Sequence, residues 1–105
     1  MSMTRIVQHP KRLVVIIAEA VLEAHLVRDA QQLGAMGFTV MDVRGGGVHG
    51  LREGIFSEDR NIRMEVIAEE AVAEAIAAHV LATYAKDYRL SLFLAEVSVL
   101  RPERY

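Results

Sequence analysis

The stretch Gly37-Phe38-Thr39-Val40-Met41-Asp42-Val43-Arg44-Gly45-Gly46-Gly47-Val48-His49-Gly50-Leu51-Arg52-Glu53-Gly54 runs a strand-like segment into a glycine-rich exit. Strand periodicity from Phe38 to Val43 anchors its first half in a sheet, whereas five glycines between Gly45 and Gly54 call for unusual backbone angles in the second. The reading is a loop hung on a rigid strand. Consecutive glycines let backbone N–H groups converge on an anion without interference from Cβ atoms, and Arg44, Arg52 and His49 add positive charge around them. Phosphate or another small anion is the expected guest.

Outward from that stretch, the strand signals fall into an alternating order with two helices. Met1 to Pro10 has no sustained period and reads as a loosely ordered lead-in, residues 1–10, able to cover a neighbour's surface. Lys11 to Ala18 is a continuous β-branched run, the mark of a central strand buried on both faces. From Glu19 to Leu33 the apolar positions are Leu22, Leu26, Ala30 and Leu33, with Glu23, Arg28, Asp29 and Gln32 elsewhere, an amphipathic helix that stops at Gly34. After the loop, residues 45–61, Asn61 to Ile67 alternates: Ile62, Met64 and Val66 share one face, Arg63 and Glu65 the other. Glu69 to Ala85 is an alanine-rich helix striped by Val72, Ile76, Val80 and Thr83 or Tyr84, with Glu69 and Glu70 favoured at its N-terminus. A polar turn, Lys86 to Arg89, leads to a last strand from Leu90 to Leu100 and a basic tail, residues 101–105.

The order βαββαβ predicts a single α+β domain, a ferredoxin-like sandwich with two helices on one face of a four-stranded antiparallel sheet. The other face is left bare. Strands one and four are apolar on both sides, so a closed homo-oligomer is expected to cover it.

Composition narrows the function. The chain of 105 residues is 52% apolar with a formal net charge of −2, which excludes a global basic field for nucleic acid. It has no cysteine, which excludes thiolate catalysis, disulfides and cysteine-based metal sites and fits a reducing, cytoplasmic setting. Leu13 to Ala18 is too short to span a bilayer, and the residues before it lack the pattern of a signal peptide.

Individual motifs point away from chemistry on a substrate. Gly45 to Gly50 matches the dinucleotide pattern GxGxxG in form, but more loop follows instead of a helix. His9, His25, His49 and His79 never fall at metal-ligand spacing, and His25 and His79 read as helix-surface or boundary residues. Glu69 and Glu70 suit a helix N-terminus, and Arg63 with Glu65 suits a cross-strand or intersubunit ion pair. No Ser-His-Asp arrangement is present.

Taken together, the βαββαβ order, Gly37-Phe38-Thr39-Val40, the exit Gly45-Gly46-Gly47, the long loop, Ile62-Arg63-Met64-Glu65-Val66 and Asp87-Tyr88 before the last strand resemble the PII signalling superfamily. Within it the chain is most similar to the branch associated with bicarbonate transport and carboxysomes, the SbtB and CPII type. The similarity runs from about Lys11 to Leu100.

That resemblance implies a cytoplasmic homotrimer that binds adenine nucleotides, AMP or ADP above all, in three intersubunit clefts. It implies no catalysis and no metal. Thr39 and Ile67 would line the adenine pocket, Gly45, Gly46 and Gly47 would pass under the phosphates, and Arg52 in the T-loop would reach a phosphate. Arg89 and Leu90 match the B-loop that closes the cleft, with Arg101 and Arg104 approaching from the tail. Bicarbonate is a second implied ligand, and the implied partner is a membrane bicarbonate transporter or carboxysome protein that reads the loop.

The chain departs from the classical pattern in three ways. Val48 to Asn61 holds no tyrosine, which removes uridylylation control; Arg89 stands where classical members carry lysine, which alters the geometry offered to a triphosphate; and the C-terminal cysteine pair of some SbtB proteins is missing. Two other readings share the architecture: an acylphosphatase-like phosphate enzyme, which would need a positioned water and turnover, and a trimeric metal-tolerance protein of the CutA type, against which the lack of cysteines and paired histidines argues.

Overall fold

The computed structural model describes residues 4–45 and 60–105. Strand β1 (His9–Glu19) is followed by a 3₁₀ turn (Ala20–Leu22), helix α1 (Glu23–Gln32), β2 (Thr39–Val43), β3 (Asn61–Ala68), helix α2 (Glu70–Tyr84), β4 (Leu90–Val99) and a final 3₁₀ turn (Pro102–Arg104). The strands form one antiparallel sheet in the order β2-β3-β1-β4. With both helices on one face, this is the expected ferredoxin-like α+β sandwich.

Period-two alternation decides which side chains meet the helices. Val14, Ile16 and Ala18 of β1 pair with Val66, Met64 and Ile62 of β3, and all six are buried. Leu22, Leu26 and Ala30 come down on them from the first helical segment, and Ala73, Ile76, Val80 and Tyr84 from α2, completing one core. The opposite parity of each strand faces away from the helices. That open face carries Thr39, Met41 and Val43 of β2, Asn61, Arg63, Glu65 and Ile67 of β3, Leu13, Val15 and Ile17 of β1, and Ser91, Phe93, Ala95 and Val97 of β4. Val15 is fully buried even there, between Glu65 and Phe93 in register, while Met41 and Phe93 stay 37% and 48% exposed. The apolar surface expected on the bare face is present.

Several boundaries differ from the sequence reading. The lead-in ends earlier: His9 and Pro10 belong to β1, opposite Val99 and Ser98. Pro10 is tolerated because β3 joins only from Arg12 onward, so no ladder on that side asks for its missing N–H. Glu19 ends β1 instead of opening the helix, whereas Asn61 opens β3 as the alternation from Asn61 indicates. The tail is not a plain extension, since Pro102–Arg104 turns once with Tyr105 N–H on the Pro102 carbonyl. Arg63 pairs with Glu65 along its own strand, Nε to Oε2 at 2.9 Å, and not across strands.

Helix α1 stops as expected at Gly34. Its φ of +114° lies in the left-handed region, and it bonds Gln31 while Ala35 N–H bonds the Ala30 carbonyl at 2.9 Å, a Schellman closure. Asp29 departs from expectation. Read as part of the polar set of the first helix, it is only 8% exposed, turned towards α2. The Tyr84 hydroxyl donates to Asp29 Oδ2, His79 Nε2 lies 2.9 Å from the same oxygen, and Arg28 Nη2 lies 3.1 Å from Oδ1. A proton on His79 Nε2 leaves Nδ1 to accept from the Thr83 hydroxyl at 3.4 Å. Burial pushes the Asp29 carboxyl up, but the bonds from Tyr84, His79 and Arg28 outweigh it and hold the carboxyl below its ordinary value. Burial and the Asp29 charge push the Tyr84 phenol up, so it stays a donor.

A carboxyl depressed in the folded state contributes stability that is complete above its unfolded value of about 3.9 and is lost as pH falls through the folded value. Asp29→Asn is therefore expected to cost about 1–3 kcal/mol at neutral pH. Urea unfolding at fixed protein concentration should show that gap narrowing as pH falls below about 4. A gap constant with pH would mean that the charge of Asp29 is not what joins the two helices.

Candidate functional site

The four strands end together at one edge of the open face. Val43 lies opposite Asn61, Ile17 opposite both Arg63 and Ser91, and Ala18 opposite Leu90. Because β2 and β1 leave the sheet where β3 and β4 enter it, the root of the long loop and the turn before β4 are brought side by side. Between them is a cavity of about 540 Å³ lined by Ile17, Val43, Arg44, Gly45, Asn61, Arg63, Arg89, Leu90 and Ser91.

Each wall has an identifiable support. The Ala20 N–H donates to the Arg60 carbonyl at 2.8 Å, tying the end of β1 to the returning loop. The Arg89 N–H donates to Glu19 Oε2 at 2.8 Å, and the Asp87 and Tyr88 N–H groups close onto the Tyr84 carbonyl, which sets the turn leading to Leu90. Arg63 is held by Glu65, with its guanidinium 5.9 Å from the Phe93 ring centroid. Three guanidiniums, an amide and a hydroxyl thus line the cavity without a carboxylate among the lining residues. Such a wall suits an anion with several oxygens.

The glycine expectation needs correction at Gly45. Its φ is not in the left-handed region, and among the described residues a Cβ built there would meet nothing within 4 Å, so neither conformation nor crowding by those residues demands glycine. Gly46, Gly47 and Arg52 lie outside the described residues.

Of the other expected ligands, Gly45, Arg89 and Leu90 are in the cavity wall. Thr39 and Ile67 share the open face but sit toward the far ends of β2 and β3, and Arg101 and Arg104 follow the far end of β4. Arg101 Nε reaches Glu103 Oε2 at 3.3 Å. At about 3.3 Å per residue, the length of β4 sets Arg89 and Arg101 roughly 30 Å or more apart. One chain therefore does not gather the expected residues; it divides them between the two ends of its sheet.

Asn61, Arg63 and Ser91 line the cavity but were not singled out as ligands. The available signal was parity: each lies near the start of a strand and on the same face as Val43 and Ile17. Register across strands is needed to bring them together. Among the described residues, no group of three or more His, Cys, Asp or Glu is gathered to hold a metal, and no helix is long and apolar enough to cross a membrane.

Comparison with known proteins fits this geometry. A structure described as a PII-like signalling protein, from Thermus thermophilus, is 37% identical, covers 93% of this chain and 97% of its own, and superposes with a TM-score of 0.79. CPII from Thiomonas intermedia, solved bound to ADP and bicarbonate, is 21% identical over 95% of this chain and 98% of that one, with a TM-score of 0.81. At that identity the likeness to CPII establishes the fold. No curated protein matches. Residues 11–104 match the model of the family described as Nitrogen regulatory protein P-II, and the chain belongs to that family.

Proposed function

We propose that this PII-like regulatory protein is a cytoplasmic homotrimer that binds AMP or ADP in the clefts between subunits. Bicarbonate is its second ligand, and its output is the conformation of the loop from residue 45 to residue 61. The observation that carries the reading is the division of candidate ligands between the two ends of the sheet. Gly45, Arg89 and Leu90 stand at one end and Thr39, Ile67, Arg101 and Arg104 at the other. A head-to-tail contact sets unlike ends of two copies against each other, and with a threefold rotation between copies such a contact closes as a ring. The ring makes each cleft whole.

In that arrangement Thr39 and Ile67 of one subunit face the adenine. Gly45 to Gly47, Arg52, Arg89 and Leu90 of the next take the phosphates, and Arg101 and Arg104 come from the tail. The open glycine at position 45 admits a phosphate oxygen to the backbone, and Arg44 beside it suits the planar bicarbonate anion. Structures of CPII bound to ADP with bicarbonate, and to ADP with AMP and acetate, support this choice of ligands. A ligand that touches the root of the loop selects among its conformations, which a bicarbonate transporter or carboxysome protein then reads.

Titration calorimetry with AMP, ADP, ATP and cyclic AMP, with and without bicarbonate, is expected to show micromolar binding of AMP or ADP to a species whose light-scattering mass is three chains. Binding of no adenine nucleotide would refute the reading. Each charged phosphate contact is worth about 1.5–3 kcal/mol, so Arg52→Ala and Arg89→Ala should each weaken binding about tenfold or more.

A sharper test of the divided site mixes two deficient variants, Arg89→Ala and Arg101→Ala, after dissociation and reassembly. Clefts that draw each end from the other variant are intact, so part of the binding should return. A mixture no better than its components would show that the two ends do not serve one site.

A further inference from the structure

The lead-in belongs to no strand or helix. Thr4 to Gln8 is exposed, with Ile6 and Val7 at 63% and 68%. Beyond His9 neither neighbour of β1 continues. The register that sets His9 opposite Val99 would bring Gln8 to Leu100 and Ile6 to Pro102, where the chain has turned away, and the register with β3 would bring Gln8 to Val72, already in α2. Among the described residues, no backbone hydrogen bond outside the helices and strands involves Thr4 to Gln8.

The outer edge of β4 has the opposite problem. It is the longer of the two edge strands, ten residues against five in β2, and only Glu96 interrupts it with charge; it has no lysine, arginine or proline. Edges of that kind invite pairing. Phe93 and Leu94, 48% and 37% exposed, lie on opposite faces of the sheet, as the adjacent apolar pair Ile6 and Val7 would in an added strand.

We infer that the lead-in of one copy adds as an antiparallel strand to the outer edge of β4 in the next copy, with Ile6 beside Leu94 and Val7 beside Phe93. The main-chain bonds are those of strand addition, and the side chains set the register. A chain cannot do this to itself. Val7 is two residues before His9, a reach of about 7 Å, whereas Phe93 lies six residues along β4 from the partner of His9, roughly 20 Å away. Phe93 sets the contact beside the open face that a closed homo-oligomer is expected to cover, and the inference rests on the proposed assembly but not on the nucleotide.

The chain has no cysteine of its own, which makes cross-linking unambiguous. Val7→Cys combined with Phe93→Cys should give covalently linked chains under mild oxidation, while each single variant stays one chain on a non-reducing gel. Paired residues on antiparallel strands are within disulfide reach. Removal of residues 1–8 should raise the concentration at which the assembly dissociates by about tenfold or more, with circular dichroism unchanged.

A double variant that assembles by light scattering and binds nucleotide but forms no cross-link overturns this inference and leaves the proposed function standing. Linkage by Val7→Cys alone, or preferential linkage to Met41→Cys on the β2 edge, overturns it too.

Discussion

The antiparallel ladders that hold β1 between β3 and β4 run nearly the whole length of the strand, and the placement of every other element follows from them. They send Val14, Ile16 and Ala18 to the helices and Val15 and Ile17 to the open face. They also bring the exits of β1 and β2 beside the starts of β3 and β4, where the cavity forms. With side-chain period two, a slip of one residue would turn the core strip outward and take Arg63 and Asn61 from the cavity into the core. Burial of the apolar strip thus fixes the position of the polar site, and Leu90, opposite Ala18, belongs to both.

Among the described residues, the buried polar residue, Asp29, lies in the helix layer. A buried carboxylate without donors would be costly, and Asp29 avoids that cost only because α2 presents Tyr84 and His79 to it and α1 presents Arg28. An apolar residue at position 29 would pack against α2 in several registers. A carboxylate with directed partners accepts few, so the pairing specifies how the two helices lie as well as joining them. The core beneath is unaffected by that choice, since Leu26 and Ala30 continue the apolar stripe past Asp29.

Legibility in the sequence followed the range of the interaction. The alternation of Asn61 to Ala68 and the Gly34 stop are local patterns, and both could be read directly. Asp29 could not. Its spacing puts it beside the apolar stripe, and only the docking of α2 tells a boundary position from a solvated one. Nor could composition say which face of β1 or β4 would be open, because both faces read as apolar; α1 and α2 cover one and leave Met41 and Phe93 on the other. The cavity is the extreme case. Ile17, Asn61, Arg63 and Ser91 come from three strands, and nothing in their spacing relates them until the register is known.

Under the proposed function, dividing the candidate ligands between the ends of one sheet would give nucleotide binding a consequence that a site within one subunit would lack. If both ends were needed in a single subunit, a loop would have to cross roughly 30 Å of β4, and the chain carries its long connection between β2 and β3 instead. In the proposed ring the far end of one copy completes the cavity of the next, so ligand and assembly stabilise each other by mass action. Gly45 lies in the wall of that cavity and opens the long connection, so any ligand that orders the junction also restrains the root of the loop. In that ring, regulation would need no mechanical relay through the core, because the free energy of joining two subunits and that of selecting a loop conformation would be expressed in the same few residues.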